Sequence, residues 1–477
     1  MTPAKLDIYC LAIGGTGMAP LACLLQEQGH RVRGTDGPLY PPMSTLLASA
    51  GVHPHVGYDP AHLSPRPDLV IIGNAIHRNN PEALEAERLG LPILSMPQAL
   101  ARFFLARQRS LVVSGTHGKT TTTAMAAWVW ADCGRDPGYL IGGAPCDLAA
   151  SFHDGAGDRF IVEGDEYNAA YFDRGAKFLH YQPETLLLTS AEYDHADLYA
   201  TPEALWDAYA RLIALLPRDG LLVACGDNLK VRELAADARC RTIFYGLQPG
   251  NDLAPLGKIE ALPEESRFRV RDVESGEEAE ISLPLAGEHN VANCLAVWAA
   301  ARRDGLPAAA VAAALARFHG VKRRLEELGT ARGITVVDDF AHHPTAVEKT
   351  LEALRQRYPG RRLVALFEPR SLTAGRRFFF DAYRQAFAGA DRVLFAPLFH
   401  SDRLAPEERL DLAALAAALT AAGVPAQVGT DNAELLRLAV EEAREGTVLV
   451  TMSSGSFLGL PQRLLAAIRE PDAAGPR

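Results

Sequence analysis

Residues 111–130 read LVVSGTHGKTTTTAMAAWVW, and the folding of this stretch decides what the rest of the chain can be. Its apolar start, its glycines and its long threonine and alanine run predict a strand, a tight loop and a helix. Gly115 and Gly118 let the backbone turn so that its N–H groups face a single anion. A helix starting near Thr120 adds the positive end of its dipole. Lys119 can reach β- and γ-phosphates, and Thr120 supplies the hydroxyl that Mg²⁺ prefers. Val113 stands where a GxxxxGK[ST] pattern would have its first glycine, so the loop is a tighter one.

The same rhythm extends in both directions. Short apolar runs alternate with longer amphipathic stretches, as in α/β folds with parallel sheets. LDIYCLAI, RVRGTD, DLVIIGNA and LPILS are the strands expected before the loop. RFIVEGDEY, TLLLTSAEYDHAD and GLLVACGDN follow it, each an apolar run ending in polar residues. Residues 247–280 are richer in Gly, Pro and charge and read as a hairpin excursion, and a helix follows at HNVANCLAVWAAARRDG. A third block carries ITVVDDF, RLVALFEPR, RVLFAP and TVLVTMSSGSF. The 477 residues suit about three domains of ~150 residues each. We place their boundaries at 1–107, 108–322 and 323–477.

Composition narrows the function. Forty-eight Lys and Arg against 58 Asp and Glu give a net charge of −10, which argues against a nucleic-acid binder. Seven cysteines without a CxxC pair disfavour a disulfide framework or zinc site and suit a reducing cytoplasm. No apolar run reaches the ~20 residues of a membrane span, and the N-terminus lacks the pattern of a secretory signal. A cytoplasmic protein acting on small molecules is expected.

In parallel α/β sheets, ligands lie beyond the carboxyl ends of the strands, where the polar clusters of this chain recur. Glu163 in VEGDEY and His195 in YDHAD each follow a strand of the second block. Carboxylate with the Thr120 hydroxyl is ordinary Mg²⁺ chemistry, and the imidazole admits Mn²⁺ as a substitute.

Taken in order, GTHGKTTTT, EGDE, DHAD, HNVAN, VKRR and DDFAHHP resemble the ATP-dependent Mur ligases of peptidoglycan synthesis over essentially the whole chain. The resemblance implies a Rossmann-like N-terminal domain for a UDP-sugar, a central P-loop ATPase domain and a Rossmann-like C-terminal domain. GGTGM and NAIHRNNPE are similar to the members that take UDP-N-acetylmuramate. DGPLYPPMSTLL, DEYNAAYFDRGAKFLHY, FEPRSLT and TMSSGSFLGLPQRLL resemble the branch that recycles cell-wall peptide. The acceptor expected from this is L-alanyl-γ-D-glutamyl-meso-diaminopimelate, with free L-alanine as the alternative. The L-alanine-adding type usually carries FQPHR where this chain has Phe367-Glu368-Pro369-Arg370-Ser371.

The resemblance further implies an ATP site from Gly115, Thr116, His117, Gly118, Lys119, Thr120 and Thr121. It implies that Asn290 and Asn293 approach adenine with His289 nearby, and that Arg324 and Asp339 reach the nucleotide from the third domain. Thr120, Glu163 and His195 would surround the metal, and Lys119, Glu163, His195 and Arg324 would carry catalysis. Gly15, Thr16, Gly17, Met18, Asp36, Asn74, Arg78 and Asn79 would hold the UDP-sugar. His343, Arg370, Ser371 and Thr373 would meet the peptide, and Arg376 and Arg377 would follow on a helix. His342 or His343 is the candidate base for the incoming amine. Two departures stand out: Ala12 replaces a frequent Gly, and no Lys lies between Lys177 and Lys230 to be carbamylated near the metal.

A carboxylate is a poor electrophile, so joining it to an amine requires activation. Transfer of the γ-phosphoryl group of ATP gives an acyl phosphate that the amine can attack. Two rival classes fit the residues less well. A nicotinamide dehydrogenase would leave GTHGKTTTT, EGDE and DHAD without a task. A silent nucleotide-binding scaffold would not need the polar groups of turnover.

Overall fold

Each of the three blocks folds around its own sheet in the computed structural model, which describes residues 5–470. Residues 1–4 and 471–477, at the ends of the first and third expected domains, lie outside the described residues. The first sheet contains β1 (Asp7–Leu11), β2 (Arg31–Asp36), β3 (His55–Val56), β4 (Leu69–Ile72) and β5 (Ile93–Ser95). Its order is β3-β2-β1-β4-β5 with every pairing parallel. The strand expected over LDIYCLAI stops at Leu11, because Ala12 takes a left-handed φ of 57° and turns the chain.

The second block contains β6 (Arg109–Ser114), β7 (Gly138–Leu140), β8 (Phe152–His153) and β9 (Arg159–Gly164). A small antiparallel hairpin follows, β10 (Asn168–Ala170) with β11 (Asp173–Ala176), and then β12 (Thr185–Leu188), β13 (Leu221–Cys225) and β14 (Arg241–Tyr245). The seven-stranded order is β14-β13-β12-β6-β9-β7-β8, parallel except for β8. The excursion read as a hairpin is a three-stranded antiparallel sheet, β15 (Pro255–Ala261), β16 (Ser266–Arg271) and β17 (Glu278–Leu283). The third strand, EAEISL, alternates polar and apolar residues and buries Ile281 and Leu283, but it runs past residue 280, where the stretch read as a hairpin ends.

The third sheet is built from β18 (Glu326–Ala331), β19 (Ile334–Asp339), β20 (Arg362–Phe367), β21 (Arg392–Phe395), β22 (Ala426–Val428) and β23 (Thr447–Met452). Its order is β18-β19-β23-β20-β21-β22, with β18 the single antiparallel edge.

Register decides where the chemistry collects. Ser114 pairs with Gly164 on one side and with Leu188 on the other. Three strands therefore end at one level, and the segments after them emerge together: the phosphate loop, GDE and TSAEYDHAD. In the third sheet, Met452 pairs with both Asp339 and Phe367. This brings the segments starting at Phe340, Glu368 and Ser453 to a single edge.

The helix Lys119–Asp132 is buried on nearly all sides, against β9 on one side and the helix Glu288–Arg303 on another. Four successive threonines are poor helix formers, so this helix owes its stability to packing. Thr123 returns its hydroxyl to the Lys119 carbonyl at 2.8 Å.

The opposite edge of the second sheet carries stability rather than chemistry. Arg159, 2% exposed, forks onto Asp304, its Nε 2.5 Å from Oδ2, and Trp130 Nε1 donates to the same oxygen at 3.2 Å. Asp304→Ala would leave a buried guanidinium with, among the described residues, only Glu184 as a counter-ion, 3.5 Å away. The expected cost is about 3 kcal/mol, read as a lower thermal midpoint. An unchanged midpoint would show that water already solvates Arg159.

Candidate active site

Both loop glycines are required by their surroundings. Gly115 has φ 129°, and a Cβ there would lie 2.3 Å from Thr189 Oγ1 and 2.7 Å from the Ser190 nitrogen. Gly118 has φ 79°, and a Cβ would lie 2.8 Å from Asn293 Oδ1. The loop is pinned to the segment after β12. Thr116 Oγ1 donates to the Glu192 carbonyl at 2.9 Å and accepts from the Glu192 N–H at 2.8 Å. The His117 N–H donates to Ser190 Oγ at 2.9 Å. Thr121 is buried in the first turn of the helix.

Lys119 Nζ donates to the carbonyls of Gly115 and Thr116, at 2.6 and 3.3 Å, and to Glu166 Oε1 at 3.0 Å. Burial works to lower its pKa, but Glu166, Glu163 and Asp165 outweigh burial and raise it, so the ammonium stays charged. Glu166 also pairs with His195 Nε2 at 3.0 Å. Burial would raise the Glu166 carboxyl, yet Lys119 and His195 together hold it below the usual range. Burial would lower His195, but its bond to Glu166 and the nearby Asp194 push it up to about 9.

Thr120 Oγ1 donates to Glu163 Oε1 at 2.9 Å, and the Gly142 N–H donates to Glu163 Oε2 at 2.8 Å. Arg324 reaches in from the third block, with Nη2 3.3 Å from Thr120 Oγ1 and its guanidinium 4.7 Å above the Phe340 ring. The residues fit a hard oxygen-seeking cation. Hydroxyl and carboxylate stand side by side, and Glu166 Oε2 is buried without a hydrogen-bond partner among the described residues. Of the three residues read as metal ligands, Thr120 and Glu163 touch each other, whereas His195 is joined to Glu166.

Three comparisons bear on this geometry. Family profiles match along the chain: "Mur ligase family, catalytic domain" over 7–108, "Mur ligase middle domain" over 113–301 and "Mur ligase, glutamate ligase domain" over 323–455. The Escherichia coli UDP-N-acetylmuramate–L-alanyl-γ-D-glutamyl-meso-2,6-diaminoheptandioate ligase is 38% identical over 460 residues, 96% of this chain and 97% of that protein. The chain belongs to the Mur ligase family. A UDP-N-acetylmuramate–L-alanine ligase of Carboxydothermus hydrogenoformans is 33% identical over 396 residues, 83% of this chain and 82% of that one. The solved murein peptide ligase of Psychrobacter arcticus superposes with a TM-score of 0.73 at 33% identity, covering 98% of this chain and all of that one.

In this Mur ligase, Asn293 faces the loop from the helix Glu288–Arg303, and Asn290 stands one turn behind it, with Oδ1 3.5 Å from Asn293 Nδ2. Asn290 Nδ2 donates to the Ala286 carbonyl at 2.8 Å, and Asn293 lies against Gly118. Asp339 accepts from the N–H groups of Leu325 and Ala341 at 2.7 and 2.8 Å and from Thr350 Oγ1 at 3.1 Å. It braces the backbone next to Arg324. In the first sheet, Asp36 Oδ2 accepts from the Gly14 N–H at 2.7 Å, closing a loop that includes Gly15, Thr16 and Gly17 ahead of the helix Met18–Glu27. The Met18 side chain is buried in the core, while Asn74, Arg78 and Asn79 are exposed beyond β4.

On the acceptor side, the Arg370 guanidinium lies 3.8 Å from the Phe399 ring centre and 3.6 Å from Glu368 Oε2. Its Nη1 is buried without a hydrogen-bond partner among the described residues. Ser371 Oγ accepts from the Ala374 N–H at 3.0 Å. Thr373 Oγ1 accepts from the Ala196 N–H at 2.9 Å and so links the third block to the DHAD segment. His343 caps the helix Pro344–Arg357 and is buried, and His342 Nε2 lies 3.8 Å from Asp194. Arg376 pairs with Glu408 at 2.8 Å, and Arg377 opens a short 3₁₀ turn rather than an α-helix.

Sequence reasoning missed Glu166 and Glu192. The second glutamate of EGDE was a visible signal for Glu166; Glu192, ahead of DHAD, had none. His289 yields a pH prediction. Burial, with Lys349 and Arg324 adding like charge, pushes it down to about 4. An unfolded chain takes up this proton near ~6.5, so between those values protons favour unfolding and stability falls as pH drops. His289→Gln should lose less thermal stability than wild type on moving from pH 6.5 to about 4. Equal losses would mean that the folded chain already protonates His289.

Proposed function

We propose that this Mur ligase joins UDP-N-acetylmuramate to the recovered tripeptide L-alanyl-γ-D-glutamyl-meso-diaminopimelate through an acyl phosphate, in peptidoglycan recycling. It is an ATP-dependent, ADP-forming ligase that uses ATP and Mg²⁺; Mn²⁺ is the proposed substitute. The observation that carries the reading is the junction at Thr120, where the phosphate loop, Glu163 and Arg324 meet. The units 1–107, 108–322 and 323–477 would supply the UDP-sugar, the phosphoryl donor and the acceptor respectively.

Two anions must meet in the first step, so charge neutralisation and positioning carry most of the catalysis. Lys119 leaves Glu166 for the β- and γ-phosphates, and the loop N–H groups and Arg324 take the remaining charge. Mg²⁺ held by Thr120 and Glu163, with His195 at the rim, supplies Lewis-acid neutralisation when bound. The lactyl carboxylate attacks the γ-phosphorus and ADP leaves. The peptide amine then attacks the carbonyl carbon and phosphate departs. An α-amino group has a pKa near ~7.7–8.0, so a neutral fraction exists at neutral pH without a dedicated base.

Higher identity to tripeptide ligases than to L-alanine ligases of comparable coverage favours the tripeptide as acceptor. Arg370 supports the same choice, since a peptide with several carboxylates calls for a forked donor with an open N–H. The cytoplasm is the compartment we propose: all seven cysteines are free, and among the described residues no helix is long and apolar enough to cross a membrane.

Phosphate release with UDP-N-acetylmuramate should be much faster with the tripeptide than with L-alanine; the reverse preference would reassign the acceptor. Oxygen-18 in the lactyl carboxyl should appear in the released phosphate. Lys119→Ala should lower kcat at least about 100-fold while the protein stays folded. Arg370→Ala should raise the KM for peptide about 10- to 100-fold and leave that for ATP nearly unchanged. Equal changes in both would make Arg370 a support of the domain alone.

A further inference from the structure

We propose that His117, Glu192 and His343 form a binding site for a transition-metal dication of the Zn²⁺ class, distinct from the Mg²⁺ position at Thr120 and Glu163. One donor atom from each of the three residues lies within 4.8 Å of the others. His117 Nε2 is 3.4 Å from Glu192 Oε2, and His343 Nδ1 is 3.7 Å from the same oxygen. A good N–H···O bond is ~2.7–3.2 Å long, so these atoms stand wider than hydrogen bonding would draw them. Donors ~2.0–2.1 Å from a tetrahedral ion lie about 3.4 Å apart, close to the spacing here.

The donor chemistry points the same way. Two imidazoles and one carboxylate form a set that borderline ions favour, whereas Mg²⁺ prefers oxygen alone. His343 is buried, with Nδ1 on the side of Glu192. Its only hydrogen bond at Nδ1, from the Thr345 N–H, is long at 3.3 Å, and ligation there would replace it.

Two of the three ligands are also held from behind. Thr345 Oγ1 donates to Glu192 Oε2 at 2.6 Å and orients the carboxylate. The His117 N–H is fixed by Ser190, and the Glu192 N–H by Thr116. The side chains of His117 and Glu192 remain 22% and 30% exposed, which leaves an entry path and room for a water as fourth ligand. His117 belongs to the phosphate loop and His343 to the third block, so a bound ion would tie the two together across the cleft.

The test is a Co²⁺ titration of the tag-free full chain in excess Mg²⁺, without substrates, so it reads the site independently of the ligase reading. One equivalent should give an intense visible band that Zn²⁺ displaces. His117→Ala and His343→Ala should each raise the Co²⁺ Kd at least about 10-fold, with melting curves confirming that the variants fold. Glu192→Gln, nearly isosteric, serves where a histidine variant does not fold. Glu163→Gln should leave the band unchanged. Absence of the band, its survival in the ligand variants, or its loss in Glu163→Gln would overturn the site.

Discussion

The contact on which the site depends is the one at Thr120 Oγ1, which donates to Glu163 and accepts from Arg324. It joins three segments that are far apart in sequence: the phosphate loop, the end of β9 and the first turn of the third block. Nothing local to any one of them would hold it. It exists because β6 and β9 run in register to Ser114 and Gly164, and because Asp339 braces the chain at Leu325, beside Arg324. A slip of one residue in either sheet would turn the side chains to the opposite face and separate the hydroxyl from both partners.

The charges around this contact are arranged so that none is buried alone. Glu166 stands between Lys119 and His195, 3.0 Å from each. With Glu163 and Asp165, it compensates the buried Lys119 ammonium in a closed loop. In the reaction we propose, where Lys119 turns to phosphate, Glu166 would keep His195 as its partner, so one cation could serve two states at little electrostatic cost. This explains why the buried residue is a carboxylate rather than a neutral acceptor.

The phosphate loop, its strand and its helix were legible because the signal is local: glycine, lysine and hydroxyl at fixed spacing. Most strands were legible for the same reason, as short apolar runs closed by polar residues. The hairpin β10–β11 was not, since NAA and DRGA carry neither alternation nor a β-branched residue. It is held by contacts with the first block, with Tyr171 OH donating to Glu87 Oε1 at 2.7 Å. Glu192 was illegible for a related reason. Its neighbours His117 and Thr345 are 75 and 153 residues away, and only the pairing of remote strands brings them together.

His195, Thr373 and Asp339 show a further limit. A motif names a residue and a neighbourhood but not the partner that the side chain takes. His195 faces Glu166, Thr373 spends its hydroxyl on the backbone of Ala196, and Asp339 is occupied by three donors of its own block. Each of these bonds fixes an element that has to be in place before a substrate arrives. Polar residues at such an edge therefore divide into those that receive a ligand and those that hold the receivers. The division follows from polar atoms already bonded and polar atoms left over. By that measure Thr373 belongs with the frame, and Arg370, whose buried Nη1 lies 3.6 Å from Glu368 with no hydrogen-bond partner among the described residues, is the residue we propose as a receiver.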